Sequence, residues 1–304
     1  MLLQLLSLLG AAGLFLYGLN LLSAGLLKLS GDKFKTFLPW MRKNPVNSIL
    51  AGFSITALAE SSSAATVMVV GFVNAGALAL SQAILVIMGA NIGASFTAWI
   101  IAIFGFGLGI TSIIYPFFAL GFILTMSKGQ KRKISGEVIL GFALMFLGLF
   151  YMQKYFPATE ALPVLKAYVV AASANGILSV LLFMAVGCVL AFGLQSTGAV
   201  TITMVMLGAG WIDFNMAAAM VMGENIGTTI SANIAASEAN IEAKRAALVH
   251  TLFNIFGAVL ALIFFHPFIK LVSSIAGGLQ TSWSCILGIA IFHTCLLYTS
   301  PSPR

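Results

Sequence analysis

Two short polar stretches inside apolar sequence carry the residue types that could do chemistry. A Glu-Ser-Ser-Ser run occupies residues 60–63, and a Gly-x-Asn-Ile-Gly run follows at 89–93. A similar pair recurs as Gln-Ser-Thr-Gly at 195–198 and Gly-x-Asn-Ile-Gly at 223–227. Hydroxyl, amide and carboxylate oxygens suit hard cations, while Ser and Thr favour helix starts, whose free N–H groups bind anions. This set of groups indicates a site for an anion together with a hard monovalent cation.

The spacing of the two pairs identifies an internal repeat. Ser61 and Ser196 are 135 residues apart, and Asn91 and Asn225 are 134 apart, so one offset aligns both pairs. A single Ser-rich run in a membrane helix is more often a close-packing face than a ligand site. Because the run recurs with the same downstream partner at matched spacing, we interpret the two stretches as two halves of one binding site.

Glu60 and Glu224 are the carboxylates that the sequence places well inside apolar regions, where an acid is a functional candidate by default. Glu60 corresponds to Gln195 in the other repeat, and Glu224 corresponds to Ala90. Neither acid has its own copy, so we expect an asymmetric site.

An anion bound here would receive no cationic side chain from the repeated stretches, since they contain no Lys, Arg or His. The positive ends of half-helices can bind anions near the middle of a membrane, and a bound cation can supply further charge. His250 and His293 lie on other segments, and we predict that they are helix-packing groups rather than metal ligands or bases.

Composition places the chain in a membrane. Its 304 residues are 60% hydrophobic and 8% charged, with mean hydropathy +1.06, whereas soluble domains carry roughly 25% charged residues. The net charge of +7 comes from Lys and Arg in short loops between apolar runs, so it reports topology and not a nucleic-acid partner. Three cysteines without metal-ligand spacing are ordinary apolar helix residues.

The sequence therefore predicts an all-α polytopic membrane protein. The predicted spanning helices cover residues 2–27, 81–104, 110–126, 138–151, 213–235 and 246–268. Residues 282–294 are predicted to begin one more helix. Two further apolar segments, 47–75 and 173–210, are each interrupted by a polar run, which predicts a re-entrant helical hairpin lining an enclosed cavity. The first half then crosses the membrane three times, so the two halves are predicted to be inverted repeats, at 1–133 and 134–294.

The distribution of charge predicts the orientation. Placing loops 28–43, 128–133 and 244–245 in the cytoplasm puts most Lys and Arg inside and the N-terminus outside. Residues 2–27 lack a basic leading region, so we expect a spanning helix and not a cleaved signal peptide. Residues 295–304 hold two prolines near their end, and we expect an aberrant or truncated tail there.

With these residues identified, the chain resembles the type II sodium–phosphate cotransporter family in its bacterial form. The resemblance covers roughly residues 5–294, and its two paired motifs in order make it specific. The matching stretches are residues 60–76, 89–95, 195–201, 223–229 and 244–256.

The resemblance implies Na⁺-driven symport of inorganic phosphate across the cytoplasmic membrane, by alternating access around a midplane site between two Ser-rich hairpins. It implies no enzymatic residue, no cofactor and no metal beyond Na⁺. By position, the phosphate-binding residues would be Ser61, Ser62, Ser63, Gln195, Ser196 and Thr197. The sodium-binding or coupling residues would be Glu60, Thr66, Asn91, Ser95, Thr201, Glu224, Asn225, Thr228 and Thr229. Bacterial members of the family often continue into a cytoplasmic PhoU-like helical domain, which we expect to be missing from this chain.

Three alternatives stay open at this point. The first is another oxyanion or H⁺ coupling, because a Glu60 carboxylate repels phosphate unless it is protonated or paired with Na⁺. The second is an intramembrane hydrolase using a serine near His250 or His293, although no Gly-x-Ser-x-Gly frame surrounds the serines. The third is a non-transporting, truncated membrane scaffold.

Overall fold

A computed structural model describes residues 2–30, 39–41, 43–107 and 111–298. Over these residues the chain forms helices and no strands. The first half contains α1 (Leu2–Ser30), α2 (Pro45–Ala59), α3 (Ser62–Asn74), α4 (Leu80–Ile100), a π-helical extension (Ile101–Gly107) and α5 (Thr111–Thr125). The second half contains α6 (Gln130–Tyr155), a 3₁₀ turn (Thr159–Ala161), α7 (Pro163–Ser173), α8 (Ile177–Gly208), α9 (Phe214–Gly227) and α10 (Thr229–Ala236). Three helices complete it: α11 (Ile241–Ile263), α12 (Phe265–Ile275) and α13 (Ser282–Tyr298).

The predicted all-α polytopic class is confirmed. By length and composition, five helical segments of the described chain can cross a membrane, since a ~30 Å hydrocarbon core needs about 20 apolar residues. They are Leu2–Leu29, Leu80–Gly107, Gln130–Tyr155, Ile177–Gly208 and Ile241–Ile263.

Helices α1 and α6 pack closely and run antiparallel. A Cβ added at Gly18 would lie 2.2 Å from the Met145 backbone nitrogen, and one at Gly148 would lie 2.3 Å from the Phe15 nitrogen. Residues later in α6 contact residues earlier in α1, so the two helices run in opposite directions. Lys28 and Glu137 close one end of this pair with a 2.8 Å ion pair.

Close glycine contacts also join α2 to α4, and they recur between α8 and α9. A Cβ at Gly89 would lie 1.9 Å from the Ile49 carbonyl oxygen, and one at Gly223 would lie 1.8 Å from the Met184 carbonyl oxygen. The two contacts involve equivalent residues of the sequence repeat. The glycines of the Gly-x-Asn-Ile-Gly runs thus allow backbone-to-backbone packing that a side chain would prevent.

A second contact in each pair of helices gives their relative direction. Gly93 faces the Phe53 carbonyl oxygen, and Gly227 faces that of Cys188. Gly93 and Gly227 each lie four residues after the first glycine of their run. The residues that they contact also lie four residues after the first contact, on α2 and α8. Helices α2 and α4 therefore run in the same direction, and so do the first part of α8 and α9.

Several predicted boundaries were wrong. The span predicted at 213–235 is two helices, α9 and α10, which meet at Thr228. The span predicted at 246–268 starts earlier, where the Asn240 side chain caps α11, and it stops at Phe264 before α12. Helix α7 lies between the predicted segments 138–151 and 173–210, where no helix was predicted; Pro163 is compatible with it because Pro163 occupies the first helical turn, where a missing N–H costs nothing.

The last helix extends past the predicted end of structure at 294. Helix α13 continues to Tyr298, and both Leu296 and Leu297 are buried. Residues 299–304 and most of the predicted basic loop after α1 lie outside the described residues.

The close contact at Gly223 predicts a large effect of a single added methyl group. Gly223→Ala should lower the free energy of unfolding by at least about 1–3 kcal/mol, because α8 and α9 must separate to accept the Cβ. Gly71→Ala in α3 is the matched control, since a Cβ there meets nothing within 4 Å. Thermal unfolding of both purified variants in detergent measures the difference, and equal melting temperatures would contradict the packing described.

Candidate functional site

Two helices are interrupted at equivalent positions of the repeat. Glu60 has φ 50° and Gln195 has φ 64°, and in the described chain they are the two non-glycine residues with positive φ. We call Glu60–Ser61 the first break and Gln195 the second break. This backbone region costs a non-glycine residue of order 1–3 kcal/mol and persists only where the surroundings hold it. Because the same unfavourable backbone conformation occurs at both matched positions, we infer that the surrounding structure enforces the two breaks.

Side-chain groups satisfy the backbone at the first break. Ser23 Oγ donates to the Ala59 carbonyl oxygen at 2.6 Å, and Thr197 Oγ1 donates to the Glu60 carbonyl oxygen at 2.8 Å. Ser61 caps α3, its Oγ accepting from the Ala64 N–H at 3.2 Å. The carbonyls that end α2 and an N–H that starts α3 thus find partners without water, as an apolar environment requires.

The two halves of the chain meet at these breaks. Besides the Thr197–Glu60 bond, Ser63 Oγ donates to the Thr228 carbonyl oxygen at 3.2 Å. The N-terminus of α3 therefore lies close to the start of the second part of α8. Five of the six residues predicted to bind phosphate are buried there, and Gln195 is exposed. The buried residues are Ser61, Ser62, Ser63, Ser196 and Thr197.

Each intramembrane carboxylate is held by a threonine of a neighbouring helix. Thr97 Oγ1 donates to Glu60 Oε2 at 2.5 Å, and Thr203 Oγ1 donates to Glu224 Oε1 at 2.6 Å. Glu60 is 5% exposed and Glu224 is 1% exposed. Sequence reasoning missed both threonines. The available signal was weak: Thr97 and Thr203 each follow a predicted site residue by two positions.

Five predicted sodium residues donate their hydroxyl protons to backbone carbonyls three or four residues earlier; Thr228 bonds to the Asn225 carbonyl oxygen at 2.8 Å, and the other four form two matched pairs. Thr66 Oγ1 and Thr201 Oγ1 donate to carbonyls four residues earlier, at 2.9 and 2.7 Å. Ser95 Oγ and Thr229 Oγ1 donate to carbonyls three residues earlier, both at 2.8 Å. Their oxygens keep lone pairs that a cation could use. Among the described residues no group of three or more His, Cys, Asp or Glu lies together as metal ligands would.

The asparagines of the two Gly-x-Asn-Ile-Gly runs each contact a histidine. His250 Nε2 is 2.9 Å from Asn91 Oδ1, and His293 Nε2 is 3.1 Å from Asn225 Oδ1. Both histidines are fully buried. They do pack between helices, but they also join the predicted site, which sequence reasoning missed. The repeated His-Thr dipeptide was the signal that could have identified them.

The threonine that follows each histidine bonds to the half of the chain that the histidine itself does not contact. Thr251 accepts from Asn233 Nδ2 at 2.6 Å, and Thr294 accepts from Trp99 Nε1 at 2.9 Å. Asn233 and Trp99 correspond under the repeat offset. Helices α11 and α13 thus each connect the two halves through one His-Thr pair. Within the described chain neither histidine bonds to a serine, so no Ser–His pair supports a hydrolase.

The chain matches a known protein family. The sequence model of the family described as Na⁺/Pi-cotransporter matches residues 14–154 and 163–299. No solved structure matches the chain.

Individual relatives carry related names. A Salmonella typhimurium protein named "Putative inorganic phosphate export protein YjbB" is 31% identical over 276 residues, 90% of this chain and 49% of that protein. The Bacillus subtilis "Uncharacterized protein YqeW" is 31% identical over 253 residues, 82% of this chain and 79% of that protein. The "Sodium-dependent phosphate transport protein 2A" of Rattus norvegicus is 39% identical over 99 residues, 31% of this chain and 15% of that protein. The chain thus spans about half the length of the Salmonella relative.

The bond between the two halves predicts an effect on stability. Thr197→Val should lower the free energy of unfolding by about 1–3 kcal/mol, because it leaves the Glu60 carbonyl without its hydroxyl donor. Thr201→Val is the matched control, since its hydroxyl donates to a carbonyl inside a helix that has a backbone partner. Chemical denaturation in detergent compares the two, and an equal loss in both variants would refute a special role for the Thr197 bond.

Proposed function

The chain belongs to the Na⁺/Pi-cotransporter family, and from this premise we propose that it is a secondary transporter that carries inorganic phosphate with Na⁺ across the cytoplasmic membrane. Its family is one of transporters and not of enzymes. The observation that carries the proposal is the meeting of two Ser- and Thr-rich helix starts, one from each half, inside a multi-pass membrane protein.

We propose that the two halves are inverted repeats. The packing supports this, because α1 and α6 occupy corresponding places in the sequence halves and run antiparallel. The matched glycine contacts of α2 with α4 and of α8 with α9 support a common arrangement within each half. Halves of equal structure and opposite direction provide a single site with two alternating routes of access.

Each broken segment is proposed to be a re-entrant hairpin. Helix α4 runs in the direction of α2 and follows α3 after a short turn, so α3 must return against α2. The 13 residues of α3 extend only about 20 Å, less than a ~30 Å hydrocarbon core. The same argument applies to α8 on either side of Gln195. The two breaks are then the tips of the hairpins.

Phosphate would bind where these tips meet. A helix start presents free N–H groups and the positive end of its dipole, which bind anions without a basic side chain. Two such starts converge here, at Ser62 and Ser196, with buried hydroxyls able to donate to phosphate oxygens. The low polarity around them strengthens these interactions relative to water.

Sodium would bind beside the two carboxylates. Glu60 and Glu224 are each held by a threonine but retain acceptor capacity, and Glu224 Oε2 has no partner among the described residues. A buried carboxylate is expensive unless a cation or a proton compensates it. An amide oxygen can also coordinate a hard cation, so a sodium site here would not require a carboxylate at position 60. H⁺ coupling and a different oxyanion are the competing outcomes.

A cavity of about 460 Å³ supports one route of access. It is lined by residues of both halves, among them Phe106 from the first half and Val205 and Trp283 from the second. Val205 lies nine residues after Ser196 on the same helix, a distance of about 14 Å. We propose that this cavity leads to the site from the membrane face that carries the end of α8.

The direct test is uptake of radiolabelled inorganic phosphate into proteoliposomes containing the purified protein. An inward Na⁺ gradient should raise initial uptake at least about tenfold over a K⁺ gradient, because coupling makes cation entry drive phosphate entry. Uptake driven equally by a proton gradient would indicate H⁺ coupling. Vesicles that take up no phosphate under either gradient would refute the proposal.

Two substitutions at the first break separate the roles of its residues. Ser62→Ala should lower phosphate uptake about tenfold or more, because it removes a buried donor at the proposed site. Glu60→Gln should retain or raise uptake, because glutamine occupies the matched position 195. Ser7→Ala, which removes a hydroxyl bonded within α1, is the control. Complete loss of uptake in Glu60→Gln would instead make Glu60 an obligatory Na⁺ or H⁺ ligand.

A further inference from the structure

The asparagines of the two Gly-x-Asn-Ile-Gly runs occupy matched positions but have different surroundings. The carboxamide oxygens of Asn91 and Asn225 each lie against a buried histidine Nε2, at 2.9 and 3.1 Å. Both side chains are buried, 3% and 6% exposed. The two sites differ at the carboxamide nitrogens.

In the first half a chain of hydrogen bonds fixes the orientation of Asn91. Asn254 Nδ2 donates to the His250 carbonyl oxygen at 3.0 Å, and a carbonyl can only accept. The Asn254 oxygen therefore faces Asn91, whose Nδ2 approaches it at 3.5 Å. Asn91 then turns its oxygen to His250, which must carry its proton on Nε2 and donate. Both ends of the Asn91 carboxamide are occupied by protein.

The second half lacks the third member of this chain. Leu297 follows His293 by four residues, the place that Asn254 has after His250, and leucine offers no acceptor. Within the described chain, Asn225 Nδ2 has no hydrogen-bond partner although it is buried. A buried donor without a partner is costly and rare, so its presence calls for a ligand that supplies the acceptor.

We propose that the Asn225 carboxamide donates a hydrogen bond to the transported anion, while Asn91 is held by protein and serves only structure. This inference rests on the proposed function. Asn225 lies one helical turn before Thr228, whose carbonyl is bonded by Ser63 of the first break, so the donor borders the proposed site. An N–H group can bind an anion but not Na⁺.

The same geometry gives His293 a positioning role. Its Nε2 donates to the Asn225 oxygen and so turns the carboxamide nitrogen toward the ligand. Asn225 thereby moves from the predicted sodium set to the phosphate set, and the two repeats contribute unequally.

Substitution of Leu297 tests the free donor without touching Asn225. Leu297→Asn restores the missing acceptor, so the purified protein should bind radiolabelled inorganic phosphate, in saturating Na⁺, about tenfold to hundredfold more weakly than wild type. Leu297→Met is the matched apolar control and should stay within about twofold. Binding of radiolabelled Na⁺ should be unchanged in both variants.

A second pair of variants covers the case in which Leu297→Asn does not fold. Asn225→Asp keeps the oxygen that His293 bonds and removes the N–H donor, and it should lower phosphate binding at least about tenfold. Asn91→Asp makes the same change at the matched position and should cost phosphate binding much less.

The outcomes separate this inference from the proposed function. Wild-type protein that binds no phosphate refutes the proposed substrate and, with it, the ligand assigned to Asn225. Wild-type binding that survives intact in both Leu297→Asn and Asn225→Asp overturns the inference alone. Weaker Na⁺ binding in Asn225→Asp with phosphate binding intact also overturns it, because the side chain would then be a sodium ligand.

Discussion

The structure depends on one constraint, that an interrupted helix in an apolar environment must satisfy its broken backbone from elsewhere in the protein. At the first break the missing partners come from Ser23 and Thr197, and Thr197 belongs to the other half of the chain. Neither half completes this arrangement alone. The Thr197 bond that satisfies the break also brings two helix starts together. The same contact therefore serves stability and the proposed site.

Close glycine packing holds the helices around the breaks together. The backbones of α4 and α9 approach α2 and α8 through glycines of the same repeated motif that carries Asn91 and Asn225. The motif thus has two functions, contact through its glycines and polar chemistry through its asparagines. Departures from symmetry lie in the polar groups: the acids at Glu60 and Glu224 have no copies, and the chain of bonds at Asn254 has none at Leu297. The glycine contacts thus recur in both halves, whereas these polar groups differ between them.

Much of the fold could be predicted from the sequence, because a local pattern that is ambiguous alone gains support when it occurs twice. The helical class, the two interruptions and the cap at Ser61 follow from local patterns read twice. The partners of the first break and of the two buried carboxylates could not be predicted, because Ser23, Thr97 and Thr203 meet their acceptors across helix interfaces that no local pattern reports. Helix ends were misplaced for a related reason. Caps and tertiary packing decide them, as at Asn240, while apolar runs continue past them.

The central claim is that helix starts from both halves form one anion site, and a cryo-electron microscopy map of the purified protein in Na⁺ and phosphate tests it most directly. The account predicts tetrahedral density bounded on one side by Ser61–Ser63 and on the other by Ser196 and Thr197. Density that touches only one of the breaks, or that lies among the Lys and Arg of the loops, would contradict it.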